Sequence, residues 1–179
     1  KISYEEMLEM SSLGTKVMQA SSVQDAMLNS INIEVRSTFS NNLGTKIRGE
    51  TNVMKKKIIT GVTYAKNEAK ITVVGVKDRP GVASEMFKPL KEINLDMIVQ
   101  TSSSDSKETD ITFTIKKEDV KRVINLLKNN KKISYRKIIQ NDKVSKVSVV
   151  GAGMISTSGV AQRFFNALAK KTINIMVIS

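Results

Sequence analysis

The chain has 179 residues, 40% of them hydrophobic, 26% charged and 4% aromatic, with a net charge of +12 and neither Cys nor His. That composition suits one ordinary domain or two small ones, and it excludes a disulfide framework, thiolate chemistry and structural zinc, leaving carboxylates and carbonyls as metal ligands. No apolar run approaches the ~20 residues that cross a bilayer and no charged-then-apolar leader opens the sequence, so a soluble cytoplasmic protein with no membrane partner is expected.

The first element is signalled by Ser3, an N-cap residue, with Glu6 three positions on as its capping-box partner and Ile2 and Met7 spaced for a hydrophobic staple. A helix is predicted from Tyr4 to about Leu13-Gly14, where Gly suits the left-handed cap. A second helix over 22–29 carries Val23, Ala26 and Met27 on one side, and Ile31, Ile33 and Val35 alternate as a strand with Glu34 and Arg36 outward. This fragment is too small to hold a core alone, so its apolar faces should be covered by an absent segment or another chain. Residues 40–57, with Gly44, Gly49, Asn52 and the Lys55-Lys56-Lys57 cluster, read as a linker, and Ile58 to Tyr64 as a strand interrupted by Gly61. Met7, Met10, Met18 and Met27 read as core filling.

From Ala69 onward the chain repeats. Val73-Val74-Gly75 through Asp78-Arg79-Pro80-Gly81-Val82-Ala83 returns as Val149-Val150-Gly151 through Thr157-Ser158-Gly159-Val160-Ala161. In the first copy, over 69–140, strands are expected at 71–76, 95–101, 111–115 and 133–139. Pro80 suits the first turn of a helix with Val82, Met86, Leu90 and Ile93 on its buried face, and Pro89 should kink it or end it as a 3₁₀ turn. A second helix over 118–128 carries the stripe Val120, Val123, Ile124 and Leu127. The order is βαββαβ, the ferredoxin-like split unit, and the fold class is α+β. The second copy, from Val144, has a turn two residues longer, a helix over 160–171 and a strand over 173–178. It stops half-way through the unit.

A strand end, a glycine turn and a helix N-terminus bring backbone N–H groups together where an anion can bind. In the first copy these donors are Gly81, Val82 and Ala83, with the Asp78 carboxylate beside them. Helix donors plus a carboxylate match the two charged ends of a free amino acid, and Asp78 would repel a phosphate. Asn94 and Gln100, flanking the next strand, could add polar contacts at the same end. The plainer alternative is that Asp78 helps cap the helix. In the second copy, Gly151-Ala152-Gly153-Met154-Ile155-Ser156 is a weak match to a dinucleotide fingerprint, with Ser in the third glycine position and no acid on the next strand. Asn174 there suits a small polar ligand or a subunit contact. No catalytic constellation is visible.

These residues resemble the C-terminal part of aspartate kinases. Ser3-Tyr4-Glu5-Glu6-Met7-Leu8-Glu9-Met10, with Leu13-Gly14-Thr15-Lys16-Val17, Val35-Arg36-Ser37-Thr38-Phe39 and Gly44-Thr45, is similar to the tail of that family's amino-acid-kinase domain. Asn67 to Val73, Asp78-Arg79-Pro80-Gly81, Thr109-Asp110-Ile111-Thr112-Phe113-Thr114 and Val147 to Met154 resemble its tandem ACT regulatory modules. The resemblance implies a kinase tail and linker over 1–57 and a strand over 58–68 joining the second ACT sheet. A first ACT module over 69–140 and an incomplete second one over 144–179 follow. It also implies an allosteric segment that binds lysine, threonine or both, pairs as a homodimer and inhibits phosphorylation of aspartate. Carried over by position, effector contacts would come from Asp78, Gly81, Val82, Ala83, Asn94 and Gln100, with Asn174 and Ile175 from the second module. A lysine side chain would need a further acid, Glu85 or Asp105. The resemblance implies ATP and Mg only for the full enzyme: the lobe that would hold them, and any catalytic residue, is absent from this chain, as is any cofactor or metal site. Ala20-Ser21 replace the family's Pro-Arg pair, and Thr157-Ser158 its His-Pro before Gly-Val.

The charge raises one alternative, a nucleic-acid-binding ferredoxin-like domain. The lysines are dispersed at element boundaries, however, and the stacking aromatics of single-strand binders are missing. A solvated basic surface is the preferred reading.

Overall fold

The computed structural model describes residues 1–50, 57–102 and 107–179. It divides into two compact units, Lys1–Ala65 with Val147–Met176, and Lys66–Lys146 with Val177–Ser179.

The first unit opens with β1 (Ile2–Ser3) and α1 (Tyr4–Ser12). The Ser3 hydroxyl accepts from the Glu6 N–H at 3.1 Å and the Glu6 carboxylate accepts from the Ser3 N–H at 3.3 Å, forming the expected capping box. Ile2 and Met7 are buried in one cluster, and Gly14 follows the Leu13 cap with φ +112°. Helix α2 (Ala20–Leu28) starts two residues before the expected 22, and β2 is confined to Ile33–Val35 because Ser30, with φ +55°, turns the chain ahead of Ile31.

Two expectations are corrected in this region. Part of the supposed linker is a strand, β3 (Thr45–Arg48), which runs parallel to β1 and antiparallel to β2 in a sheet of order β1-β3-β2. Ile47 pairs with both Ile2 and Ile33 and is completely buried. The fragment therefore holds a core of its own, built from Ile2, Tyr4, Met7, Val23, Ala26 and Ile47, with Met10 and Met18 packed against it. Met27 is half-exposed, and Leu28, Phe39 and Leu43 stay in solvent. The Lys55-Lys56 part of the basic cluster lies outside the described residues.

Strand β4 (Gly61–Lys77) leaves out residues 58–60 of the first expected strand and then runs without a break through 71–76, since the stretch between Thr63 and Val74 has no Gly or Pro and only the isolated Asn67 as a turn residue. Likewise β7 (Lys137–Val150) joins the last part of the expected 133–139 strand to 144–150, while residues 133–136 stay outside it. Within the first unit the Thr60 N–H donates to the Val150 carbonyl at 2.8 Å. In the second unit the Arg136 N–H donates to Val74 at 2.8 Å.

The second unit follows the βαββαβ order through β4, α3 (Val82–Phe87), β5 (Ile98–Ser102), β6 (Glu108–Lys116), α4 (Val120–Lys128) and β7. Its sheet order is β5-β6-β4-β7, with β6 antiparallel to both β4 and β5. Pro89 ends α3 in a 3₁₀ turn over Lys88–Leu90, because the ring removes a donor and crowds the preceding turn. Pro80 lies ahead of the helix rather than in its first turn, and Gly81 is the N-cap. Val82, Met86, Leu90 and Ile93 pack with Ile71, Val73, Val76, Ile111, Phe113, Val123 and Leu127, and the Phe87 ring meets Phe113 edge-on at 5.4 Å.

After β7 the first unit continues with α5 (Val160–Ala169), shorter than the expected 160–171. Its N-cap, Gly159, has φ +77°, and Gly81, at the same place in the first copy, has φ +84°. Residues 173–178 form no strand, although their β-branched content suggested one. Strand propensity is expressed through pairing and packing, and none of the described strands pairs with them.

Candidate functional site

The turn after β4 is built by a β-bulge. Up to Val73 the strand pairs with β6 in one register, with Ile71 opposite Phe113 and Val73 opposite Ile111. From Val76, opposite Thr109, the register has slipped by one residue. Asp110 thus faces both Val74 and Gly75, and Gly75 takes φ +66°, a left-handed conformation that glycine adopts without a steric penalty. The Gly75 N–H donates to Asp110 Oδ1 at 2.8 Å. The Arg136 side chain lies over the glycine, where a Cβ would be 2.6 Å from its Nε, and it is held by an ion pair with Glu108 that raises the guanidinium pKa further.

Beyond the bulge the ladder continues through Lys77, opposite Glu108, to the Asp78 N–H, which donates to the Lys107 carbonyl at 2.7 Å. The Asp78 side chain is exposed and has no hydrogen bond or ion pair among the described residues. It does not cap α3. Its neighbour Arg79 is committed elsewhere, pairing with Glu85 and donating to the Lys132 carbonyl at 3.1 Å. Glu85 is therefore already neutralised, and Asp105, the other candidate acid, lies outside the described residues.

Three N–H donors were expected at Gly81, Val82 and Ala83. Val82 is occupied, donating to the Arg79 carbonyl at 3.2 Å. Gly81 and Ala83 have no acceptor among the described residues and lie where a helix leaves its first donors unpaired.

Gln100 and Asn94 do not share one end. Gln100 pairs with Ile111, level with Val73, whereas the Asp96 N–H bonds to Thr114, level with Lys70. Asn94, two residues before Asp96, therefore lies at the end of the sheet opposite Asp78, because the α3 crossover returns the chain to the start of the next strand. Near it stand the Lys146–Asp96 ion pair and Glu68, whose pKa is raised by burial, partly offset by Lys146. Asn174 and Ile175 belong to the other unit and are exposed.

The second turn is not an open dinucleotide cradle. Its N–H groups are engaged within the first unit: Ala152 donates to Glu6 Oε1 at 3.2 Å, Gly153 to the Lys57 carbonyl at 3.2 Å and Met154 to the Gly151 carbonyl at 3.1 Å. Sequence reasoning missed Glu6 in this role, and it missed Arg136 and the bulge. A single glycine, Gly75, inside the β-branched run Val73-Val74-Gly75-Val76 was the available signal for the bulge.

Comparison with known proteins decides the family. The model of the ACT domain matches residues 71–130 and 147–179. The aspartate kinase of Pseudomonas fluorescens is 43% identical over the whole chain, which spans 44% of that relative's length. A solved structure of aspartokinase alpha and beta subunits is 39% identical, covering 68% of this chain and 80% of its own, with a TM-score of 0.60. The regulatory subunit of aspartate kinase from Thermus thermophilus, solved ligand-free, is 33% identical, covering 69% and 82%, with a TM-score of 0.63.

The chain belongs to the ACT-domain regulatory region of aspartate kinases. In this ACT region the βαββαβ unit is complete once, over β4 to β7, and the second copy contributes its first strand, turn and helix. Among the described residues no helix is long and apolar enough to cross a membrane, and no cluster of His, Cys, Asp and Glu could hold a metal ion.

Proposed function

We propose that this chain is a feedback-sensing segment that binds an end-product amino acid, lysine or threonine or both, and thereby restrains ATP- and Mg-dependent phosphorylation of the aspartate side-chain carboxylate by a kinase domain. The sensing form is a cytoplasmic homodimer paired through ACT modules. The observation that carries the reading is the Asp78 carboxylate, exposed and without a partner among the described residues, in the same turn as the unpaired Gly81 and Ala83 N–H groups. The amino acid's carboxylate takes the N–H donors and its ammonium takes Asp78. Gln100 and Val82 border the ligand, and Asn174 and Ile175 contribute from a second module. Asn94 belongs to the set by family resemblance and not by its position on the same module, so a contact from it would come through module pairing.

Calorimetric titration of the chain with lysine and with threonine tests this. At least one should bind, and Asp78→Ala should weaken it about 10- to 100-fold, the range of a lost charge-assisted hydrogen bond. Heat from neither amino acid, or an Asp78→Ala variant that binds like the parent, rejects the reading.

A further inference from the structure

We infer that Asp110 is a positioning residue for the effector turn, acting through the Gly75 bulge to decide which face of the sheet presents Asp78. The inference rests on the effector-turn reading above.

Side chains alternate along a strand, so a one-residue slip moves each later side chain to the other face. Ile71 and Val73 point into the core that α3 covers. In an unbroken strand residues 75 and 77 would continue that face, and Asp78 would emerge on the opposite side from the helix. The bulge reverses this. Val76 takes the core position, with no exposure, and Lys77 points to solvent. Asp78, still in the ladder through its bond to Lys107, inherits the α3 face, the side on which the Gly81 and Ala83 donors lie.

The bulge itself is held from both sides. On β6, Asp110 accepts the Gly75 N–H, a donor that the extra residue would otherwise strand without a partner. On the other side Arg136 covers the glycine and bonds the Val74 carbonyl through its own N–H. Among the described residues Asp110 is the side chain that accepts the bulged amide. It lies in the Thr109-Asp110-Ile111-Thr112 stretch, which the effector contacts do not otherwise use.

The experiment compares Asp110→Ala and Asp110→Asn with the parent in two readouts, amide hydrogen exchange at Gly75 and Asp78, and calorimetric affinity for whichever amino acid the parent binds. Asp110→Ala should lose at least tenfold in Asp78 protection and about tenfold in affinity. Asp110→Asn keeps a side-chain oxygen acceptor and should stay within about threefold of the parent in both. Should Asp110→Ala fail to fold, Asp110→Glu replaces it, since it keeps the charge but moves the acceptor by one methylene. Parent-like Asp78 protection in Asp110→Ala, or in its Glu replacement, overturns the inference, as does equal loss in the Asn variant. If the parent binds neither amino acid, the functional reading fails, while the exchange readout still decides the role of Asp110.

Discussion

The Glu6 carboxylate serves three donors: the Ser3 N–H at 3.3 Å, the Thr60 hydroxyl at 2.5 Å and the Ala152 N–H at 3.2 Å. Local helix chemistry explains only the first. The other two come from residues 54 and 146 positions away in sequence, so one buried acid ties the start of α1 to the residue just ahead of β4 and to the turn after β7. Removing the acceptor leaves one buried and two partly buried donors without a partner, and the desolvation cost of such groups sets the prediction. Glu6→Ala should destabilise the first unit by about 2–4 kcal/mol, and Glu6→Gln, which keeps one oxygen but turns an NH₂ toward a donor, by roughly half as much. Urea denaturation measures both. A Glu6→Ala variant within about 0.5 kcal/mol of the parent would show that these donors find other partners or water.

Among elements, the two glycine-capped helices offer a matched pair. Gly81 and Gly159 occupy equivalent positions ahead of α3 and α5, both are left-handed, and a Cβ added at either would meet nothing within 4 Å. Sterics with neighbours therefore drop out, and only the backbone preference remains. Gly81→Ala and Gly159→Ala should each cost about 1 kcal/mol, each in its own unit, and in the double variant the core amides of each unit should show that unit's cost alone, read by hydrogen exchange. Unequal costs would mean that one helix start relaxes out of the left-handed region.

The same scale explains what could be read in advance. The α1 start was legible because Ser3 and Glu6 are a local pair, and the 3₁₀ ending of α3 because Pro89 acts on its own turn. The core face of α3 was legible through the spacing of Val82, Met86, Leu90 and Ile93. Strand β3 was not, since Thr45-Lys46-Ile47-Arg48 has a single apolar residue and becomes a strand only by pairing with β1 and β2. The candidate site divided in the same way: Asp78 and Gly81 follow from the turn itself. The loss of the Val82 donor is local too, through its bond to the Arg79 carbonyl, whereas the distance of Asn94 from them and the bulge are set by strand register.

For the whole molecule, the two units differ in how much apolar surface they close. Among the described residues the Lys66–Lys146 unit buries a cluster running from Ala69 through Phe113 to Ile133, including Ile71, Met86, Leu90, Ile111, Ile115 and Leu127. The other unit buries Ile2, Tyr4, Met7, Val23, Ala26 and Ile47, and α5 within it has no buried residue. A fully buried aliphatic or aromatic side chain contributes about 1.5–3 kcal/mol, so the larger cluster should give the higher opening free energy. Native-state hydrogen exchange under increasing urea should show the amides of Ile71, Phe113 and Val123 opening last, in one cooperative step. Those of Val23 and Ile47 should open earlier, by several kcal/mol, in a separate step. A single transition shared by both sets would mean that the two cores do not open independently.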